Sequence, residues 1–339
     1  MASIYMSRSL WEYKFRKLSY WFSACISYIQ LYVSMRIGSI SKPVVGILLA
    51  EHLGDIVAAE PIIAALRNKH PNARIVWIVK DLYKGLLENH PYIDQVIIEN
   101  SVLASTWLSK LSPFTHFYNL HMNELRFDPY FKRSLFNDQA EKIGLNKYNY
   151  YKRGNLLKGI FDLCDIPYLE SKQPKLYLGE QKALDLPAKY WVIHRKSNGA
   201  DREWQDQHWI ALITQAIENY NISIIEVGAS DGLAFNHPKF ISMVGKTSVV
   251  EMANIISTTL FFIGIDSGPA HIANAFEIPG LILLGEFKNF KNHMPYSGAY
   301  EQGRASIYHY PNGSSAEIPL DIVWQQLIKT IPIPSTQLA

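Results

Sequence analysis

Apolar and polar positions alternate in blocks along most of this chain. From Val44 an unbroken apolar run, VVGILLA, gives way to the polar loop EHLGD and then to a stretch of helical spacing that reaches about His70. ARIVWIVK, DQVIIE and FTHFYNL are further apolar runs of strand length, with DLYKGLLENH and SVLASTWLSKL predicted as helices between them. Unbroken runs suit strands covered on both faces, and their alternation with helices predicts βαβ units on a parallel sheet. Residues 121–180 lose this rhythm: they are rich in Tyr, Phe, Lys and Arg, with helices predicted in SLFNDQAEKIGL and NLLKGIFDLC. IPYLESKQPKLYLGEQ then reads as a crossover between domains.

The rhythm restarts with KYWVIHR, ISIIEVG, FISMVG, LFFIGI and GLILLG as strands. DQHWIALITQAIENY, TSVVEMANIIS and PAHIANAFE lie between them as helices, and LDIVWQQLIKTI closes the pattern after a polar loop. The expected architecture is α/β, two doubly wound Rossmann-like halves facing a cleft at their strand C-termini. Residues 43–180 form the first half and 181–339 the second, with residues 1–42 as a helical extension.

That extension contains LSYWFSACISYIQLYVSM, Leu18 to Met35, which has no charged residue and just the length of a membrane span. Ser19, Ser23, Ser27, Gln30 and Ser34 recur at helical spacing opposite Trp21, Phe22, Cys25, Ile29 and Val33. With Lys14, Arg16 and Lys17 beside it, residues 8–36 read as an amphipathic helix for a membrane surface. Packing on the protein body or on a partner subunit, or a membrane span or signal anchor, are the alternatives. No small-residue cleavage site follows the run.

Composition narrows the class. The 339 residues allow roughly two domains, and 48% apolar against 19% charged residues is globular. A formal charge of +3 is too small to argue for nucleic acid, but it suits an anionic ligand or an anionic surface. Cys25 and Cys164 are far apart and outside any metal-ligand spacing, which fits a reducing compartment and argues against disulfides and structural zinc.

Candidate chemistry gathers at strand ends. After LFFIGI come Asp266, Ser267, Gly268 and Pro269, with His271 one turn into the next helix. Pro269 suits the first helical position, Gly268 permits a tight turn and close approach of a ligand, and the helix start offers free N–H groups to an anion. Ser267 can cap that helix or bond a phosphate oxygen, and Asp266 can accept from sugar hydroxyls. Taken singly, these residues are also what a plain helix cap and a core histidine look like. After KYWVIHR, the loop KSNGADREWQDQHW carries Lys196, Ser197 and Arg202, and Arg202 suits a diphosphate; an exposed basic loop is the plain alternative. Trp204 and Trp209 read as packing residues. Gly54 and Asp55 open a helix after the first strand, where an acid can serve as general base or simply complement the helix dipole.

GKTSVVEMANIISTTLFFIGIDSGPAHIANAFEIPGLILLG, LGDIVAAEPIIAALRNKHPNARIVWIV and REWQDQHWIALI together resemble glycosyltransferase family 9, the ADP-heptose:lipopolysaccharide heptosyltransferase family. The resemblance runs from about Val44 to Ile331. It implies a GT-B fold and a metal-independent, inverting transfer from a nucleotide-diphosphate sugar, ADP-heptose in the family's usual case, with no cofactor. The implied acceptor is a hydroxyl of a lipopolysaccharide core or another glycan, glycolipid or protein; the expected location is the cytoplasm, with the N-terminal helix offering attachment to the inner face of the cytoplasmic membrane. Asp55 falls on the family's Gly-Asp motif as base. Asp266, Ser267, Gly268 and His271 fall on its donor motif, with Ser197 in the phosphate loop and Thr247 at the segment whose backbone lines the nucleobase. Arg202 stands where the family usually has lysine, Leu49 where a basic residue is common, and Glu51 and His52 where smaller polar residues are usual. His52 and Lys196 are therefore candidates to supply charge. A sugar-nucleotide epimerase or hydrolase of the same fold, or a non-catalytic nucleotide-sugar-binding relative, are the competing readings. An NAD-dependent oxidoreductase is disfavoured, since no GxGxxG follows the first strand.

Overall fold

The computed structural model describes residues 11–331 except 13, 16–17, 20, 24, 27, 31, 34–41, 51, 100–112, 123–125, 129–132, 136, 182, 198, 200–201 and 289; for 126–128 and 133–135 it describes the backbone alone. The chain forms two compact units that interleave in sequence. The first comprises Met1–His52, Ile62–Lys147 and Ile160–Ile166; the second comprises Leu53–Pro61, Tyr148–Gly159 and Pro167–Ala339.

In the first unit, β1 (Val44–Leu48), β2 (Arg74–Val79), β3 (Gln95–Ile98) and β4 (His116–Asn119) form an all-parallel sheet in the order β3-β2-β1-β4. β1 is buried along its whole length, which is why it reads as an unbroken apolar run. Val44, Leu48, Val76, Ile78, Ile97 and Phe114 build a core on this sheet. The helical stretch expected to reach His70 is broken: α1 (Leu53–Ala59) stops before Pro61, and α2 (Ile62–Lys69) begins after it. A proline has no N–H for the helix ladder, so the break falls where the sequence places one. DLYKGLLENH forms only a 3₁₀ turn, Asp81–Leu86. SVLASTWLSKL lies outside the described residues. A short antiparallel pair, β5 (Arg126–Asp128) and β6 (Arg133–Leu135), takes the first part of the predicted helix SLFNDQAEKIGL. α3 (Asp138–Lys142) starts only after Asn137, whose side chain accepts from the Gln139 and Ala140 amides at 3.1 and 3.2 Å.

The second unit holds a six-stranded parallel sheet in the order β12-β11-β10-β7-β8-β9, from β7 (Tyr190–His194), β8 (Ser223–Glu226), β9 (Phe240–Ser242), β10 (Phe261–Ile265), β11 (Gly280–Leu284) and β12 (Ala305–His309). The predicted helices appear as α5 (Asp206–Tyr220), α6 (Val249–Ser257), α7 (Gly268–Ala275) and α8 (Leu320–Thr330), after α4 (Leu156–Leu163) earlier in the chain. Trp204 and Trp209 sit 2% and 0% exposed in the core with Ile193, Ile263 and Leu283. Arg195 is buried between Glu226 and Asp206, at 2.6 and 2.7 Å, and so ties the end of β7 to β8 and α5. β12 was not predicted. Its sequence, ASIYH, mixes polar and apolar residues as an edge strand does.

The described residues between Trp11 and Val33 are helical. Trp11, Phe15, Leu18, Phe22, Ile26, Ile29 and Val33 recur three or four apart and are all exposed. Among the described residues, no helix is long and apolar enough to cross a membrane.

Candidate functional site

In the second unit the winding reverses between β7 and β10: β8 and β9 follow on one side, β11 and β12 on the other. At such a switch point the loops leaving the strand C-termini part and leave a crevice for a ligand. Two of the segments singled out from sequence follow from there: the loop carrying Lys196, Ser197 and Arg202 after β7, and Asp266 to Gly268 after β10.

Ser267 takes the N-cap position of α7 in extended conformation, with Pro269 in the first turn. Its hydroxyl donates to the Ile265 carbonyl at 3.1 Å and makes no capping bond, so the first amides of α7 are not spent on the Ser267 side chain. Packing alone leaves no room for a side chain at Gly268. A Cβ there would lie 2.6 Å from Leu53 Cδ2, and a Cβ on Gly54 would lie 2.9 Å from His271 Cδ2. The two glycines let α1 and α7 cross closely, which fixes Asp55, in the first turn of α1, beside the start of α7.

Asp266 is 7% exposed. Its Oδ1 accepts from the Tyr296 hydroxyl at 3.3 Å, and its Oδ2 lies 3.6 Å from Arg202 Nη1. Arg202 stacks its guanidinium over Phe287 at 4.7 Å, and its backbone carbonyl accepts from the Ser315 hydroxyl at 2.8 Å. A guanidinium held this way offers its remaining donors in a fixed direction, as bidentate phosphate recognition needs. His271 is buried against the Tyr296 ring at 4.7 Å; burial lowers its pKa to about 4, against the opposing pull of Asp266. It is therefore neutral at neutral pH and does not supply positive charge to an anion.

Four aromatic residues that the sequence did not single out complete the cluster. Tyr150 and Tyr151 sit together on a 3₁₀ turn, Tyr150–Arg153. Both hydroxyls are pushed well above the ordinary tyrosine value, first by burial and then by the negative charges of Asp55 and Asp266. Phe290 packs edge-on to both rings, and His293 packs at a tilt against Tyr151, 4.7 Å between ring centres. The run YNYY, outside any amphipathic period, was the one visible signal for this wall.

Other predicted residues are placed differently. Lys196 is paired with Glu203 at 3.0 Å, and the same carboxylate accepts the Ser197 amide at 2.9 Å. The Ser197 hydroxyl donates to the Gly199 carbonyl at 2.7 Å and accepts its amide at 3.0 Å, so it shapes the loop. Thr247 is half-buried just before Ser248, which caps α6. His52 is exposed and groups with the first unit. Among the described residues, no group of three or more His, Cys, Asp or Glu side chains is arranged to hold a metal ion.

Two Rossmann-like parallel sheets are the architecture of the GT-B fold. Residues 160–318 match the sequence model of glycosyltransferase family 9 (heptosyltransferase). Lipopolysaccharide heptosyltransferase 1 of Campylobacter coli is 22% identical over 73% of this chain and 85% of its own. The lipopolysaccharide core heptosyltransferase OpsX of Haemophilus influenzae is 22% identical over 80% of this chain and 88% of its own. The structure of E. coli ADP-heptose lps heptosyltransferase II superposes with a TM-score of 0.62 at 16% identity, covering 88% of this chain and all of that one.

Proposed function

We propose that the second unit binds a nucleotide-diphosphate sugar, ADP-heptose, where β7 and β10 end, and that the protein transfers the sugar to a hydroxyl of a lipopolysaccharide core with inversion and without a metal. The observation that carries this reading is the meeting of Arg202, Asp266 and the start of α7 at the switch point, with Asp55 on the helix that crosses α7. The relatives named for heptosyl transfer support the sugar and the acceptor class.

In this mechanism Asp55 takes the proton of the acceptor hydroxyl as its oxygen attacks the anomeric carbon. The bond from that carbon to the diphosphate breaks on the opposite face, and the nucleoside diphosphate leaves with the bonding electrons. Arg202 and the first amides of α7 stabilise the growing charge on the diphosphate. Asp266 accepts from sugar hydroxyls, and Thr247 lines the nucleobase. Ser197 and Gly268 act through the backbone they shape, and Lys196 pairs with Glu203, whose carboxylate also holds the Ser197 amide. The exposed apolar stripe from Trp11 to Val33 rests on the cytoplasmic face of a membrane, where a lipid-linked acceptor is presented.

Thermal-shift binding against ADP-, UDP-, GDP- and CDP-linked sugars tests the donor, because a ligand of the native state raises its stability. Selective stabilisation by ADP-heptose is expected; a preference for another nucleotide sugar overturns the heptosyl assignment. D55N is expected to bind the donor within about twofold of wild type while losing at least about a thousandfold in turnover, the scale of a base that acts in the transition state. Near-wild-type turnover by D55N sinks the base assignment.

A further inference from the structure

Beside Arg202 and Asp266 lies a side chain that the mechanism above does not use. His293 is 5% exposed, and neither its Nδ1 nor its Nε2 has a hydrogen-bond partner among the described residues. It lines one small pocket with Arg202, Asp266, Phe287 and Ser315. Its ring is enclosed by rings: Tyr151 at 4.7 Å, Phe287 and Phe290 at 6.2 Å each, and His309 at 5.9 Å. Arg202 Nε, on the same pocket, also has no partner. Buried polar atoms are normally paired, and a buried imidazole with both nitrogens unpaired is costly to keep. Leucine would fill this aromatic pocket more cheaply, so the ring earns its place through something that enters the pocket.

We infer that His293 is a donor-specificity residue, hydrogen-bonding a hydroxyl of the transferred sugar in the Arg202–Asp266 pocket. The inference rests on the donor reading of this site and adds which part of the donor the pocket reads. The chemistry selects a hydroxyl over a phosphate oxygen. Burial first, with Arg202 and His309 adding, lowers the His293 pKa to about 4 despite Asp266, so the ring is neutral and carries one N–H and one lone pair. A phosphate oxygen only accepts, whereas a hydroxyl both donates and accepts, so it satisfies whichever nitrogen faces the pocket. The anionic part of the donor has Arg202, a permanent cation, beside it. A site built to pair with a hydroxyl rejects an analogue lacking it, because its own buried groups are left unpaired.

The experiment is isothermal titration of the full chain and of H293L and H293Q with ADP and with ADP-heptose. For H293L, ADP affinity is expected to stay within about twofold of wild type while ADP-heptose binding weakens about tenfold, the scale of one lost hydrogen bond to a buried partner. H293Q, which keeps a donor and an acceptor, is expected to recover part of that loss. The ligand-free H293L protein is expected to melt no lower than wild type, since it no longer buries an unpaired ring. Equal weakening of ADP and ADP-heptose in H293L overturns the inference, as does unchanged binding of both. Absence of ADP-heptose binding by the wild-type chain overturns the donor reading itself, and so is told apart from a failure of His293 alone.

Discussion

His194, His271 and His293 are each held at a pKa of about 4, and in each the largest cause is burial. Arg195 lowers His194 further, while Asp266 partly opposes the shift in His271 and His293. His70 and His309 are lowered in the same direction, again chiefly by burial. The consequence for stability has a definite sign. In the unfolded chain these rings take up protons near the ordinary histidine value of about 6.5, whereas the folded chain holds them neutral down to about 4. Folding stability is therefore complete above about pH 6.5 and is lost as pH falls towards 4, by about 1.4 kcal/mol per pH unit for each proton taken up on unfolding. Urea midpoints at pH 7, 6 and 5 are expected to fall in that order, and H293L, with one such ring fewer, is expected to fall less steeply. Parallel slopes for the two proteins would show that His293 is not buried neutral. At this scale the sequence was a partial guide. Asp266, Ser267 and Gly268 were legible because an acid, a hydroxyl and a glycine before Pro269 spell a strand-to-helix turn locally. Tyr150, Tyr151, Phe287, His293 and Tyr296 were not, because what joins them is tertiary and nothing in their spacing is periodic.

The elements themselves read well wherever burial imposed a pattern. β1, β7, β10 and β11 are buried on every residue, and each appears in the sequence as an apolar run, in β7 as far as His194. β12 and the β5–β6 pair carry no such run, and the 3₁₀ turn Asp81–Leu86 satisfies a helical period for too short a distance to become a helix. Helix starts follow caps, at Asn137 and at Ser248 with its reciprocal Glu251 bond, but neither was read from the sequence, and the helix predicted from Ser134 begins only after Asn137. The crossing of α1 and α7 was not, since two isolated glycines do not announce which helix they face. That crossing yields a direct test. Gly268→Ala places a methyl 2.6 Å from Leu53 Cδ2, far inside normal contact, in a part of the fold with little room to give. A loss of about 1–3 kcal/mol is expected in chemical denaturation, the usual cost of overpacking. Leu53→Ala combined with Gly268→Ala is expected to destabilise less than the sum of the two single changes, because the truncated side chain opens room for the new methyl. Strict additivity would mean that the two positions do not share a contact.

At the scale of the whole molecule, both sheets follow one winding rule, 3-2-1-4 from the edge inwards, and the six-stranded sheet extends it by two strands. Such sheets accept ligands at their switch points whatever the chemistry, so the fold names a place and the residues there name the reaction. The α/β class and the repeat of the winding were legible from alternation alone. The grouping of Leu53–Pro61 and Tyr148–Gly159 with the second unit was not, because neither segment differs in composition from its surroundings. The N-terminal segment poses the remaining question at this scale. Seven large apolar side chains from Trp11 to Val33 lie exposed at helical spacing, in a chain whose sequence places Lys14, Arg16 and Lys17 among them. Partial burial of each in a bilayer interface contributes on the order of 1 kcal/mol, and basic residues add attraction to anionic headgroups. The full chain is expected to float with vesicles containing anionic lipid, less with neutral vesicles and less again in high salt. A chain beginning at Ser41 is expected to stay at the bottom of the gradient in every case. Equal flotation of both chains would refute anchoring by this helix. Concentration-dependent self-association of the full chain without flotation would assign the stripe to a second copy instead.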